Sequence, residues 1–167
     1  NSIALPFVVL TSVVLSLIGV LIGLLVTATP FGIMMTGIGV ISLAGVVVNN
    51  AIVLIDYTLR LRADGMGDRA AIVEAARTRF RPVIMTAITT ILGLIPLATG
   101  VSLDFFTLSL EIGGRSSEWW GPMAKAVVFG LAFATVLTLI IVPVMVKIIW
   151  AMGDRFGNRR AQDVEVA

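Results

Sequence analysis

The sequence predicts an all-α, polytopic membrane protein with four transmembrane helices and one short amphipathic helix on the cytoplasmic side. Of its 167 residues, 58% are hydrophobic and 13% are charged, whereas about a quarter of the residues in a typical soluble domain are charged. Residues 1–55, 82–103 and 126–146 contain no charged side chain. Uncharged apolar stretches of about 18 residues or more are typical of membrane-spanning helices.

The first two spans are predicted at about residues 4–28 and 33–56, separated by the turn TATPFG. A helix rises about 1.5 Å per residue, so each can cross a hydrocarbon core about 30 Å thick. Gly19 and Gly23 form a small-xxx-small pattern that permits close helix contact. We expect this glycine surface, like the polar face of the second span, to meet helices outside this chain.

The third and fourth spans are predicted at about residues 82–100 and 121–149. Together with the first two they form a transmembrane bundle over residues 1–150, followed by a polar tail, 151–167, that is predicted to be disordered. A proline near the start of each span is tolerated there, and a second one inside each span is expected to kink it: Pro82 and Pro122 at the starts, Pro96 and Pro143 inside.

The stretch GDRAAIVEAARTRF, between the second and third spans, predicts a short amphipathic helix over about residues 68–80, lying at the inner membrane surface. Asp68 can serve as its N-cap. Its apolar residues fall on one helical face: Ile72, Val73, Ala76 and Phe80. Two interpretations are open, a coupling element between the two spans or a tether whose basic residues face lipid headgroups.

The distribution of lysine and arginine predicts the orientation. Six arginines lie between the second and third spans, and Lys147, Arg155, Arg159 and Arg160 lie at the end of the fourth, whereas the 101–120 loop has only Arg115. The 57–81 loop and the C-terminus are therefore predicted to be cytoplasmic, and the 101–120 loop external. The even number of spans places residue 1 inside too.

Several function classes are disfavoured by what the sequence lacks. It has no cysteine and no histidine, which excludes thiolate and imidazole metal sites, a cysteine nucleophile and a histidine base. No carboxylate lies deep in any span, so the chain is not predicted to be an enzyme, to hold a cofactor or metal, or to carry protons alone. The pI of about 9.7 accompanies a net charge of only +2, which we interpret as a topology signal rather than nucleic-acid binding.

Polar groups in the second and third spans are the candidate functional residues. One face of the second span is small and polar, at steps of three and four: Ser42, Gly45, Asn49, Val53 and Asp56. Asn50 lies 100° further round the helix. Each asparagine can be helix–helix glue or part of an ion or proton pathway. On the third span, Thr86 can bond its own backbone or serve such a pathway, and Arg79, just before the span, can be solvated or functional.

The strings NNAIVLIDY and RFRPVIMT, followed by SSEWWGPMAKAVVFGLAFATVLTLIIVPVM, resemble the last third of a resistance–nodulation–cell-division (RND) efflux transporter. The resemblance covers about residues 1–150 and is to the hydrophobe/amphiphile branch more than the heavy-metal one. It implies a twelve-helix protein of the inner membrane, of which this chain is the last four helices. Because the chain starts without Met or a basic leader, we expect it to be a fragment.

The resemblance further implies a homotrimer that works with a periplasmic adaptor and an outer-membrane channel in proton-driven multidrug efflux. Its proton relay joins two aspartates, on a helix of the first half, to positions that correspond here to Asn49, Arg79 and Thr86. Ser42, Gly45 and Asn50 are then helix-packing residues. The best-studied members of that branch have lysine at the position of Asn49; an asparagine can hydrogen-bond but carries no charge. Two alternatives follow: Arg79 takes over the charged role by reaching up into the membrane, or the coupling chemistry differs in this subgroup.

An alternative reading is a membrane anchor or protein-export accessory module of the same superfamily architecture, without transport activity of its own. Paired aspartates in an upstream helix would favour the exporter. The transported substrate is not predicted by this sequence, because in this family selection lies in the periplasmic regions.

Overall fold

The structure, a computed structural model, describes residues 4–104 and 109–165. Its elements in chain order are α1 (Ala4–Val26), α2 (Ile33–Ala63), α3 (Asp68–Thr99), β1 (Val101–Asp104), β2 (Ser109–Ile112) and α4 (Arg115–Glu165). Four helices in these ranges are long and apolar enough to cross a membrane. The all-α membrane fold with four spans is therefore confirmed.

Helix α4 is the centre of the bundle and packs against each of the other three helices. Two buried clusters, one towards each end of the bundle, take side chains from all four helices. In the cluster near the predicted inner end, Val8 of α1 meets Leu54 of α2 and Val146 of α4. Because lipid is as apolar as leucine, such packing stabilises the bundle through close contact rather than through removal of surface from water.

The small-xxx-small pattern of α1 is occupied within the chain itself. A Cβ added at Gly19 would collide with Phe133 of α4, and one added at Gly23 would collide with Phe129. The two glycines on α1 are four residues apart, and so are the two phenylalanines on α4. The later glycine meets the earlier phenylalanine, as expected for antiparallel helices. The expectation that these glycines meet helices outside the chain is therefore wrong, because the aromatic rings of α4 fill the groove that they leave.

The predicted amphipathic helix and the third span are one continuous helix, α3, of 32 residues. The residues before Pro82 favour a helix, so α3 continues through this proline. A proline inside a helix removes one hydrogen bond and strains one turn. In α3 the predicted apolar face is divided: Ile72 is buried, whereas Val73 and Phe80 are 59% and 54% exposed. Ala71 and Ala75 share the buried side with Ile72, since small residues allow α3 to approach the bundle.

Helix α4 differs from its predicted bounds at both ends. It begins at Arg115, so that Pro122 lies inside it, and it continues to Glu165 where the tail was predicted to be disordered. Extending an existing helix adds one hydrogen bond per residue without a new nucleation cost. The tail contains no proline and several good helix formers, which accounts for the difference.

The segment between α3 and α4 contains an antiparallel hairpin that the sequence analysis missed. Strand β1 pairs with β2 in the register Val101↔Ile112 to Asp104↔Ser109. Its base is closed by two glycines in the left-handed region, Gly100 at φ 80° and Gly113 at φ 89°, and the amide of Gly113 donates to the carbonyl of Gly100 at 2.9 Å. The alternating strings VSLD and SLEI were the available signal.

Candidate functional site

The small polar face of α2 is open. Ser42, Gly45, Asn49 and Asp56 are all exposed, and among the described residues no other helix comes within 4 Å of a Cβ added at Gly45. The opposite face of α2 is buried in the bundle through residues such as Leu43 and Val47. The predicted polar face is thus exposed, and at its inner end Asp56 borders a groove between α1 and α2.

Asn49 and Asn50 have different surroundings. Asn49 is exposed, whereas Asn50 is half-buried. Asn50 precedes Tyr57 by seven residues, close to two helical turns, so the two share a face of α2. Since Tyr57 contacts α3, Asn50 lies on the side of α2 that faces α3. The packing role of Asn50 stays a prediction, with a location that suits it.

Arg79 lies against α2 through an aromatic contact. Its guanidinium carbon is 4.7 Å from the centroid of the Tyr57 ring, within the distance of a cation–π interaction. Its Nε atom is buried and has no hydrogen-bond partner. Sequence reasoning did not single out Tyr57. The signal was available, because Tyr57 follows the second predicted span and Arg79 precedes the third, which places both at the inner edge of antiparallel neighbours.

Thr86 lies two turns beyond Arg79 and therefore on the same side of α3. It is exposed, and its hydroxyl donates to the carbonyl of Val83 at 2.9 Å. Thr89 and Thr90 bond their own helix in the same way, to Met85 and Thr86. The hydroxyl proton of Thr86 is therefore engaged in its own helix, while its oxygen can still accept a hydrogen bond.

The Tyr57–Arg79 contact fixes the relative depth of the predicted relay residues. Asn49 lies eight residues from Tyr57, about 12 Å along the helix, and Thr86 lies seven residues from Arg79, about 10.5 Å in the same direction. Asn49 and Thr86 are thus at similar depth, one on each helix. No hydrogen bond or salt bridge joins Asn49, Arg79 and Thr86 among the residues that the structure describes.

The exposed surface of α3 divides into two strips beside its buried side. A small polar strip lies on the side of Arg79, namely Thr86, Thr89 and Gly93, and no other helix in the described ranges comes within 4 Å of a Cβ added at Gly93. An apolar strip lies further round, formed by Met85, Ile88, Leu92 and Ile95, which are 40% to 61% exposed.

Two ion pairs lie at the predicted inner end of the bundle. The Nε of Arg62 lies 2.8 Å from Oδ1 of Asp68 at the start of α3, and the Arg62 guanidinium carbon lies 4.2 Å from the ring centroid of Trp150 on α4. Arg62 therefore connects three helices. Asp56 pairs with Arg60, one turn on, at 2.9 Å. The described residues contain no group of three or more His, Cys, Asp or Glu that could hold a metal ion.

Comparison with known proteins gives consistent matches across the chain. Residues 1–149 match the model of the AcrB/AcrD/AcrF family. The swarming motility protein SwrC of Bacillus subtilis is 40% identical over 144 residues, which are 86% of this chain and 12% of that protein. The nickel and cobalt resistance protein CnrA of Cupriavidus metallidurans is 38% identical over 149 residues, 89% of this chain and 13% of that protein.

Among solved structures, a crystal structure of a heavy metal efflux pump aligns with a TM-score of 0.72 at 33% identity, over 90% of this chain and 14% of that one. The chain spans 12% to 14% of the length of these proteins. Because metal-resistance proteins are among the matches, the predicted hydrophobe/amphiphile branch is not confirmed. With the family model matched over residues 1–149, the chain belongs to the AcrB/AcrD/AcrF family of RND transporters and is not an enzyme, as the sequence predicts.

Proposed function

We propose that this chain is the last-four-helix membrane part of a proton-driven RND exporter of hydrophobic or amphiphilic compounds. In this proposal Asn49, Arg79 and Thr86 are its contribution to the proton relay. The observation that carries the proposal is the pair of open polar surfaces, one on α2 around Asn49 and one on α3 around Thr86. Both lie within membrane-spanning helices, and Asn49 and Thr86 are both exposed in the described part of the chain.

Polar surfaces of this kind are costly in hydrocarbon and are expected to face protein or a water-filled path. Helices from the rest of the same transporter would cover them. No carboxylate of this chain lies deep in a span, so the titrating acid has to come from those helices. The two aspartates that the family resemblance implies are the proposed source.

The three relay residues differ in what they can do. Asn49 can donate and accept hydrogen bonds but stays uncharged, so it can orient a carboxylate or a water but cannot form an ion pair. Arg79 carries a permanent charge and can pair with an ionised carboxylate. Thr86 can accept one hydrogen bond while its own hydroxyl donates to the carbonyl of Val83. Arg79 is therefore the proposed charge partner of the acid.

The proposed setting is the inner membrane, with both ends of this chain on the cytoplasmic side. The full transporter would be a homotrimer working with a periplasmic adaptor and an outer-membrane channel. A second candidate substrate class is heavy-metal cations, favoured by the 38% identity to the nickel and cobalt resistance protein and by the alignment with the heavy metal efflux pump.

The test is transport by the full-length protein in a drug- and metal-sensitive Gram-negative host. We expect Arg79→Ala to abolish efflux and Asn49→Ala and Thr86→Ala each to lower its initial rate roughly tenfold, the effect of losing one hydrogen bond to a charged group. Thr89→Ala is the matched control, because Thr89 is also exposed and its hydroxyl also donates to a carbonyl of its own helix. It should leave the rate unchanged.

If Asn49→Ala and Thr86→Ala both left proton-driven efflux unchanged, the relay assignment would be wrong. Separate arms with amphiphilic dyes and with Ni²⁺ or Co²⁺ decide the substrate class. Efflux of the cations without efflux of the dyes would replace the first candidate with the second.

A further inference from the structure

The partner of Arg79 inside this chain is an aromatic ring. The guanidinium carbon lies 4.7 Å from the ring centroid of Tyr57, and the contact crosses from α3 to α2. A cation over an aromatic face is attracted by the ring's negative face, more strongly where water is excluded. The burial of Arg79 Nε indicates that water is excluded from at least this part of the side chain.

Three carboxylates near this contact in sequence have partners of their own. Asp56 pairs with Arg60, and Asp68 pairs with Arg62. Glu74 accepts a hydrogen bond from Thr78 at 3.3 Å. In the described residues Arg79 forms no salt bridge, and its Nε has no hydrogen-bond partner. A buried N–H without a partner is costly. A group that could accept its hydrogen bond would therefore draw the Arg79 side chain away from its present position.

We propose that Tyr57 is a positioning residue of the relay, whose ring holds Arg79 at the inner edge of the membrane while the acid of the relay is protonated. This inference rests on the proposed function. When the acid is ionised, the ion pair is the stronger interaction and the guanidinium leaves the ring for the carboxylate. When the acid takes up a proton, the pair is lost and the guanidinium returns to Tyr57. The proton resides on the carboxylate, and Arg79 stays charged throughout.

In this arrangement the guanidinium charge of Arg79 has two positions, one on the carboxylate and one on the ring of Tyr57. Asn49 has no charge to exchange, so a switch between bound and released states falls to Arg79. Without the ring, a released arginine would sample many rotamers and reach water at the inner surface. The ring therefore keeps the charge within reach of the acid between successive protonations.

The experiment replaces Tyr57 in the full-length transporter and measures the initial rate of proton-driven efflux at equal membrane expression. We expect Tyr57→Phe and Tyr57→Trp to retain the rate and Tyr57→Leu to lower it roughly three- to tenfold, since leucine fills space without a π face. Phenylalanines with one, two and three ring fluorines at position 57 should lower the rate stepwise, because fluorine weakens the negative face while nearly preserving shape. Their similar shape separates this effect from a failure to fold.

The matched control is Phe80→Leu, which removes an exposed ring next to Arg79 in sequence and should not change the rate. A leucine variant as active as the phenylalanine variant, or a flat fluorine series, would overturn the role of Tyr57. Arg79→Ala separates a failure of the inference about Tyr57 from a failure of the relay proposal. If it abolishes efflux while the position-57 series is flat, only the inference about Tyr57 fails; if it leaves efflux intact, the relay itself is wrong.

Discussion

Helices α3 and α4 both cross the membrane by composition, yet they have opposite positions in the bundle. In the most apolar window of α4, 39% of the residues are buried, whereas in that of α3 only 11% are. Helix α4 meets each of the other helices, and α3 packs mainly against α4. The difference shows that this chain has a finished side, built around α4, and an open side formed by α3 and the outer face of α2.

The open side is distinguished by its residue types as well as its exposure. Around α4, glycines are used for close contact, as where Gly39 allows Met123 and Ala126 to approach α2. On α2 and α3, a Cβ added at Gly45 or Gly93 would have no other helix within 4 Å among the described residues. We infer that the same small residues serve helices of the remaining transporter there.

The largest expected effect is on the finished side. Gly23→Val places a side chain against the Cβ and ring of Phe129, so α1 and α4 must move apart. Overpacking of this kind costs about 3 kcal/mol or more. Thermal unfolding of the detergent-solubilised full-length transporter measures it. Leu25→Val on the same helix, at a side chain 82% exposed, should change the stability by less than about 0.5 kcal/mol. Equal stability of the two variants would contradict the packing of α1 on α4.

An intermediate effect is expected on the open side, from Gly93→Val. Its Cβ meets no other helix within 4 Å in the described part of the chain, but the new side chain would obstruct the proposed contact with other helices and lower transport roughly fivefold, the effect of about 1 kcal/mol. Leu92→Val, on the apolar strip, is the control and should leave the transport rate unchanged. If the Gly93→Cys and Leu92→Cys variants reacted equally fast with a lipid-soluble maleimide, both strips would face lipid and the proposed contact would not exist.

The smallest expected effect is at the inner end, where Arg62→Gln removes the Asp68 pair and the contact with Trp150. Both charged side chains are about 40% exposed, so the loss of unfolding free energy should be about 0.5–1 kcal/mol and should shrink with added salt. Arg60→Gln is the control, because its pair with Asp56 lies within one helix and is more exposed. A larger loss for Arg60→Gln would show that the link between helices does not stabilise the bundle.

Hydropathy and charge predicted the number and type of the spans, because the cost of burying charge in lipid acts on every residue of a span. They could not predict which side of each helix is covered, since lipid and a neighbouring helix select similar apolar residues. The pattern at Gly19 and Gly23 indicated close contact but not its partner, and the partner is the aromatic pair of α4. The helices continue beyond the predicted spans at Pro82 and Pro122, because a long helix tolerates a proline when its neighbours fix it in place.

The candidate site was predicted in part. The face that carries Ser42, Gly45 and Asn49 follows from helical periodicity, and the structure confirms that these residues lie on one exposed side. The Tyr57–Arg79 contact depends on the pairing of two helices and was not predicted. The roles of Asn49, Arg79 and Thr86 stay predictions, because their partners are expected on other helices.

The ends of α3 are fastened differently from its middle. At one end Asp68 is tied to Arg62, and at the other the carbonyl of Gly100 accepts from the amide of Gly113, just before α4. A helix that is fixed at both ends resists translation along its axis but can still rotate about that axis. Arg79 and Thr86 lie on one side of α3, so a small rotation of the helix would move both through the same angle. The guanidinium and the hydroxyl would then move together rather than one after the other.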